Sequence, residues 1–260
     1  MGRTRPKIKS EMRSQIPAYY SKLRPFQKLF RTGNPILTYH KLGARPARVR
    51  LKGLYVNQPL FRRQLKELRA AGYTSGSLEG AAGPVAQAQI VITFDDGYVN
   101  VLHHGLAPLA ENGFRAVQFI VANLLGKTNE WDVAMGEASE PMMDAAQVRE
   151  WLAAGHEIGS HTLNHPHLTR ISSSEAAEEI TSSRKKLEDL FGRPVHHFCY
   201  PYGDWNEAIH DLVREAGYTT ASTTDPGVNT AANSPFALKR FTARYPSRNL
   251  KAIWARIRER

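Results

Sequence analysis

Cysteine is nearly absent from these 260 residues: Cys199 stands alone, which excludes a disulfide framework and a cluster of thiolate metal ligands. No run of eighteen apolar residues occurs, so no segment reads as a membrane-spanning helix. The amino end, Met1 to Lys9, is basic but lacks the apolar core of a secretory signal, and the expected location is the cytoplasm. Histidine, otherwise frequent, does not occur after His210. Low-complexity tracts and internal repeats are missing too, and with 42% hydrophobic and 23% charged residues the chain has the means to bury a sizeable core.

The net charge of +11 is concentrated at the ends. Residues 1–31 hold nine lysines and arginines against Glu11, and residues 239–260 hold eight against Glu259, which leaves residues 32–238 at −4. A nucleic-acid enzyme gathers positive charge around its working cleft, so no nucleic-acid partner is expected here. Within residues 1–31, Ile8, Met12, Ile16, Tyr19, Leu23, Phe26 and Phe30 recur every three or four positions, the pattern of an amphipathic helix that Pro17 and Pro25 must kink or divide. Two readings of this basic arm are open: it packs on the body at 32–260, or it makes a peripheral contact with an anionic membrane surface, which would put the protein at the inner face of that membrane.

The body alternates apolar runs with helical patterns. Strands are expected at Ile36–Tyr39, Ile90–Phe94, Ala116–Val121, Glu157–Gly159, His197–Tyr200 and Tyr218–Ser222. Helices are expected at Pro59–Ala71, Val99–Asn112, Asp144–Ala154, Ser172–Phe191 and Glu207–Ala216, three of them stopped by Gly72, Gly155 and Gly217. Ser172 and Glu175 form a capping box at the start of the fourth. Such alternation implies an α/β fold with a parallel sheet, open or closed into a barrel, whose reactive groups gather at the carboxyl ends of the strands.

Three such strand ends carry chemistry. Thr93-Phe94-Asp95-Asp96-Gly97 follows the apolar run Ile90-Val91-Ile92, and burying either carboxylate unpaired costs several kcal/mol. The pair is either capping a turn or doing divided work, one carboxylate on a metal and the other accepting a proton. His161 and His165, within Ser160-His161-Thr162-Leu163-Asn164-His165, stand four apart, which puts both imidazoles on one face of a helical turn at metal-ligand spacing. Two histidines and one aspartate complete a three-ligand site with a position left for water, and the second aspartate remains as a base. Phe198-Cys199-Tyr200-Pro201-Tyr202-Gly203 ends another strand with a turn able to present a backbone N–H to an oxyanion.

In this order the three segments resemble the first three motifs of polysaccharide deacetylases, the NodB-homology domain of carbohydrate esterase family 4, over about Ile36 to Phe241. The resemblance implies a distorted (β/α) barrel, a divalent metal, usually zinc, and hydrolysis of an acetyl group, most often N-linked, on an amino-sugar polymer or its lipid-linked precursor. It makes Asp96, His161 and His165 the metal ligands, Asp95 the general base and the Tyr202 backbone N–H an oxyanion donor. The chain departs from the family at three points: no late Leu-His motif supplies an acid histidine, Cys199 stands where the third motif often has an arginine that steadies the base, and the fourth motif is not recognisable. Some branches open with a strand ending in Tyr-His, as Leu37-Thr38-Tyr39-His40 does, which makes His40 the candidate general acid. Arg240, in Leu238-Lys239-Arg240-Phe241, is the candidate replacement for the arginine. The other histidines read as surface or structural groups, and Trp131 and Trp205 as wall, rim or core of a sugar groove. The loop at 123–141 is placed to shape such a groove. A catalytically silent barrel that binds carbohydrate is the alternative.

Overall fold

All six expected strands form, each end within two residues of expectation. The computed structural model describes residues 17–47 and 49–245. In chain order the strands are β1 (Asn34–Tyr39), β2 (Lys41–Leu42), β3 (Tyr55–Val56), β4 (Thr74–Ser75), β5 (Gln89–Phe94), β6 (Val117–Ile120), β7 (Glu157–Ser160), β8 (His197–Cys199), β9 (Thr220–Ser222), β10 (Val228–Asn229) and β11 (Phe241–Thr242). The helices are α1 (Gln27–Phe30), α2 (Gln58–Ala70), α3 (Leu78–Ala81), α4 (Val99–Asn112), α5 (Glu130–Val133), α6 (Ala145–Ala153), α7 (Ser173–Phe191) and α8 (Glu207–Glu215). The capping box at Ser172 and Glu175 opens α7 as expected. Gly72, Gly155 and Gly217 take positive φ values of 84°, 85° and 81° one residue past the caps of α2, α6 and α8.

The main sheet runs β10-β1-β5-β6-β7-β8-β9, with β11 beside β1 and β4 beside β5. All its pairs are parallel except β1 with β10. All six residues of β1 are buried, as expected of a strand covered on both faces. One short segment joins the sheet's far edges. Leu238 bridges to Ser222 in β9, and three residues later Phe241 pairs with Leu37 in β1, so residues 238–242 close a distorted (β/α) barrel. Alternation along the strands then sorts the side chains. Ile36, Val91, Val117, Phe119, Cys199 and Leu238 pack together inside, with Leu78 and Ala81 of α3 against them. Leu37, Tyr39, Ile92 and Phe94 belong to the larger cluster that includes residues of the surrounding helices. Interior space is tight: a Cβ at Gly159 would lie 2.5 Å from the Phe119 ring and 2.8 Å from the His197 carbonyl.

The basic arm does not form one amphipathic helix over its described part; only α1 is helical, in keeping with the two prolines. Leu23, Phe26 and Phe30 are buried in the same cluster as the body; Tyr19, expected with them, is exposed, and its neighbour Tyr20 is buried there. The Phe26 and Phe30 rings lie 5.2 and 5.6 Å from Phe241 of the closing segment, and the Tyr20 N–H donates to the Thr242 carbonyl at 2.9 Å. The core therefore runs across position 31 without a break. Ile8, Met12 and Ile16 lie outside the described residues, and among the described residues no helix is long and apolar enough to cross a membrane.

His156, just before β7, is built into this core as a neutral ring. It packs on Trp151 at 4.2 Å between centroids, and its Nδ1 accepts the Ala116 N–H at 3.3 Å. Burial, with Arg115 nearby, pushes its pKa down from 6.5 to about 4. Between those values the unfolded chain binds a proton that the folded chain refuses, so this group erodes stability as pH falls from about 6.5 toward 4. His156→Gln is expected to flatten the fall of the thermal midpoint across that window; parallel profiles for parent and variant would contradict the assignment.

Candidate active site

The two adjacent aspartates part company at the end of β5. The Asp95 N–H donates to the Tyr39 carbonyl at 2.9 Å, which continues the pairing with β1. Asp96 and Gly97 then take left-handed conformations, φ 77° and 94°, and swing the chain sharply. For Asp96, a non-glycine residue, this backbone is disfavoured and marks a position fixed by its surroundings. The turn sends the two carboxylates in different directions, and both are buried. Their oxygens meet histidines and an arginine, so partnering rather than capping explains the pair.

Asp95 faces Arg240. The guanidinium grips it with two hydrogen bonds, Nη1 to Oδ1 at 2.7 Å and Nη2 to Oδ2 at 2.8 Å. Arg240 is itself held by Nε donating to the Thr223 carbonyl at 2.8 Å and Nη1 donating to Thr93 Oγ1 at 3.1 Å, and its Nη2 lies 3.1 Å from Cys199 Sγ. The planar fork matches the carboxylate, and no lysine could reproduce it. Burial alone would raise the Asp95 pKa; the Arg240 charge and hydrogen bonds, together with His40 and His161, outweigh it and hold the carboxyl below its ordinary range. Arg240, expected from the sequence as the candidate replacement for the motif arginine, is thus brought against Asp95. It arrives from the closing segment between β9 and β1, and the small Cys199 leaves it room.

Asp96 faces the histidines. Its Oδ1 lies 3.3 Å from His161 Nε2 and 3.5 Å from His165 Nε2. These three ligand atoms fall within 4.8 Å of one another and all three residues are buried. The expected helical turn between the histidines is not found. β7 ends at Ser160, and residues 161–165 form an irregular loop with left-handed Thr162 (φ 68°) and His165 (φ 64°). The loop is drawn together by the His165 N–H donating to Thr162 Oγ1 at 2.9 Å, and by Glu179 of α7 accepting the Leu163 and Asn164 N–H groups at 2.9 Å each. The spacing of four works by loop geometry, which a local helical periodicity does not describe.

The donor set fits a divalent cation. Two imidazoles and a carboxylate suit zinc or another borderline metal, and buried, mutually facing acceptors gain from one. His161 Nδ1 lies 2.7 Å from the Cys199 carbonyl, the contact that fixes which nitrogen faces the metal position. A second trio, Asp95, His161 and Cys199, also lies within 4.8 Å. The Arg240 guanidinium bonds both Asp95 and Cys199, and its positive charge opposes a cation there.

The remaining groups complete the rim. His40 Nε2 stands 3.7 Å from Asp95 Oδ2 on the side of β1, and burial lowers its pKa below the ordinary histidine value although Asp95 opposes the shift. Tyr202 is left-handed at φ 61°, and its half-exposed ring meets His165 edge-on at 4.5 Å. At the next residue, Gly203, a Cβ would collide with Thr224, so only glycine fits. Trp131 of α5 stacks on His165 at 4.3 Å, while Trp205 stacks on Tyr200 at 6.0 Å, packed against the core. His167, one of the histidines read as surface or structural groups, is half-buried and stacks on Tyr202 at 3.9 Å. Its position two residues after His165 was the only sequence signal.

Residues 82–221 match the polysaccharide deacetylase family model. The chain is 32% identical over 149 residues to the chitooligosaccharide deacetylase of Azorhizobium caulinodans, covering 56% of this chain and 64% of that protein. It is 27% identical over 155 residues to the peptidoglycan-N-acetylglucosamine deacetylase of Bacillus cereus, covering 60% and 63%. Each match thus spans less than two thirds of the relative's own length. Among solved structures, the Streptococcus pyogenes deacetylase PplD in complex with acetate superposes with a TM-score of 0.69 at 24% identity, covering 81% of this chain and 92% of that one. IcaB from Ammonifex degensii gives 0.70 at 21%, covering 86% and 97%. With the family model matching more than half its length, the chain belongs to the polysaccharide deacetylases, hydrolases of the NodB-homology fold.

Proposed function

We propose that the protein removes N-acetyl groups from an amino-sugar polymer or oligomer, with a divalent cation, zinc by its donor set, held by Asp96, His161 and His165. The observation that carries this reading is the division of labour at the end of β5: one carboxylate turned to two imidazoles, the other gripped by an arginine and left beside them. A carbohydrate-binding barrel has no use for a base next to a cation site. Two relatives named for deacetylating chitooligosaccharide and peptidoglycan N-acetylglucosamine support that substrate class.

A bound cation would polarise the acetyl carbonyl and acidify an attacking water. Asp95, ionised and fixed by Arg240, accepts the proton of that water. The departing amine needs a proton in return. His40 is neutral at rest, and its Nε2 faces Asp95 Oδ2 at 3.7 Å. It is placed to take the proton from Asp95 and deliver it to the nitrogen, so that one proton travels and the site ends as it began. The Tyr202 backbone N–H, in the turn that Gly203 permits, stabilises the oxyanion.

Acetate release from N-acetylglucosamine oligomers or peptidoglycan is expected from the purified chain, lost on chelation and restored by zinc; no acetate from either substrate under any metal would contradict the reading. Asp95→Asn is expected to lower turnover by roughly 100- to 10,000-fold and His40→Ala by about 100-fold or more. Near-parent turnover in the His40 variant would remove it as the acid. Arg240→Met leaves Asp95 buried without its partner and is expected to cost roughly 3–5 kcal/mol of stability as well as activity, measured by denaturant unfolding. A variant as stable as the parent would show that the pair is not desolvated.

A further inference from the structure

The two histidines facing Asp96 are held by different means. His161 is fixed through its Nδ1 by the Cys199 carbonyl, whereas His165 Nδ1 is buried with no hydrogen-bond partner. The His165 ring is instead wedged between aromatic neighbours: Trp131 lies flat on it, 22° from parallel, and Tyr202 meets it edge-on. Its orientation therefore depends on where Trp131 is held, and Trp131 sits in the long loop between β6 and α6.

That loop is locked from inside by the residue next to Trp131. Asp132 Oδ2 accepts hydrogen bonds from Lys41 Nζ, Tyr98 OH and Asn129 Nδ2, each at 3.2 Å. Lys41, in β2 directly after His40, is 1% exposed, and its ammonium lies 4.6 Å from the centre of the Tyr98 ring and 5.1 Å from that of Tyr55. The far end of the loop is tied to the same box, with Tyr55 OH donating to Glu140 at 2.8 Å. A buried ion pair is a poor device for stability, since an apolar pair of similar shape often does as well; what it adds is one permitted register. Here the register decides whether the Trp131 ring lands on His165.

We propose that the buried Lys41–Asp132 pair is a latch that seats the loop of residues 129–140 so that Trp131 orients His165 as a cation ligand. Lys41, Asp132 and Trp131 are positioning residues, and the inference rests on the metal site proposed above. The pair joins the chain beside the candidate acid to the loop beside the candidate ligand, so one contact sets both sides of the cleft.

The test is zinc affinity of the metal-stripped full chain, measured by competition with a chromophoric chelator, together with the visible spectrum of the cobalt form and the thermal midpoint. Trp131→Leu and the double variant Lys41→Met/Asp132→Asn, which keeps an acceptor for Tyr98 and Asn129, are expected to bind zinc about 10- to 100-fold more weakly, with altered cobalt spectra. Trp131→Phe, which keeps a flat ring, is expected to recover most of the affinity. Parent-like zinc affinity and cobalt spectrum in Trp131→Leu would overturn the proposal. So would parent-like values in the double variant, and if that variant does not fold, Trp131→Leu decides alone. Asp96→Ala separates the two levels: parent-like zinc binding there would reject the metal site itself, whereas its loss alongside an unaffected Trp131→Leu would reject only the latch.

Discussion

A carboxylate can be kept ionised inside a barrel only if something there compensates its charge, and the Asp95–Arg240 pair meets that requirement. Two parallel hydrogen bonds join them at the point where the sheet closes on itself. The segment from Leu238 to Thr242 bridges β9 and β1, and Arg240, like Leu238 two residues before it, turns inward. The segment that closes the barrel also supplies the arginine of the site. Thr93, Thr223 and Cys199, on three different parts of the barrel wall, each touch the same guanidinium. With Asp95 so occupied, Asp96 is free to face the imidazoles, and its left-handed backbone directs it there.

Much of this was legible because it is local. An apolar run followed by Asp-Asp-Gly marks a strand end, glycines past α2, α6 and α8 mark where helices stop, and a serine three residues before a glutamate marks where α7 starts. Spacing suggested that His161 and His165 share a ligand, but it suggested the wrong backbone: a helical period of four and this loop bring the rings together by different routes, and the left-handed turns at Thr162 and His165 carry no distinctive residue type. Arg240 could be named from the sequence only as a replacement for an arginine that Cys199 displaces. The two-residue strand β11 that follows it is too short to show a period.

Contacts between distant positions that no motif marks left no trace. Lys41 and Asp132 stand 91 residues apart, one in a two-residue strand and one in a four-residue helix. Neither segment has a pattern that would mark its charge as buried. His167 and Trp131 likewise gain meaning from the aromatic faces they cover, Tyr202 and His165, and not from their neighbours in the chain. The basic arm shows the same limit in reverse: Leu23, Phe26 and Phe30 belong to the barrel core, where Phe241 meets the two phenylalanine rings, while Tyr19 of the same pattern is exposed.

Fold alone does not make a hydrolase, and the case for one here is the placement of a candidate cation site and a candidate base within one buried cluster. The most direct measurement is zinc-edge X-ray absorption on the reconstituted full chain, because the barrel holds two overlapping trios that share His161. The account predicts two imidazoles and oxygen donors at roughly 2.0–2.2 Å with no sulfur in the shell. A zinc–sulfur path at about 2.3 Å, which only Cys199 of this cluster could supply, would contradict it, because Arg240 would then have to leave Asp95.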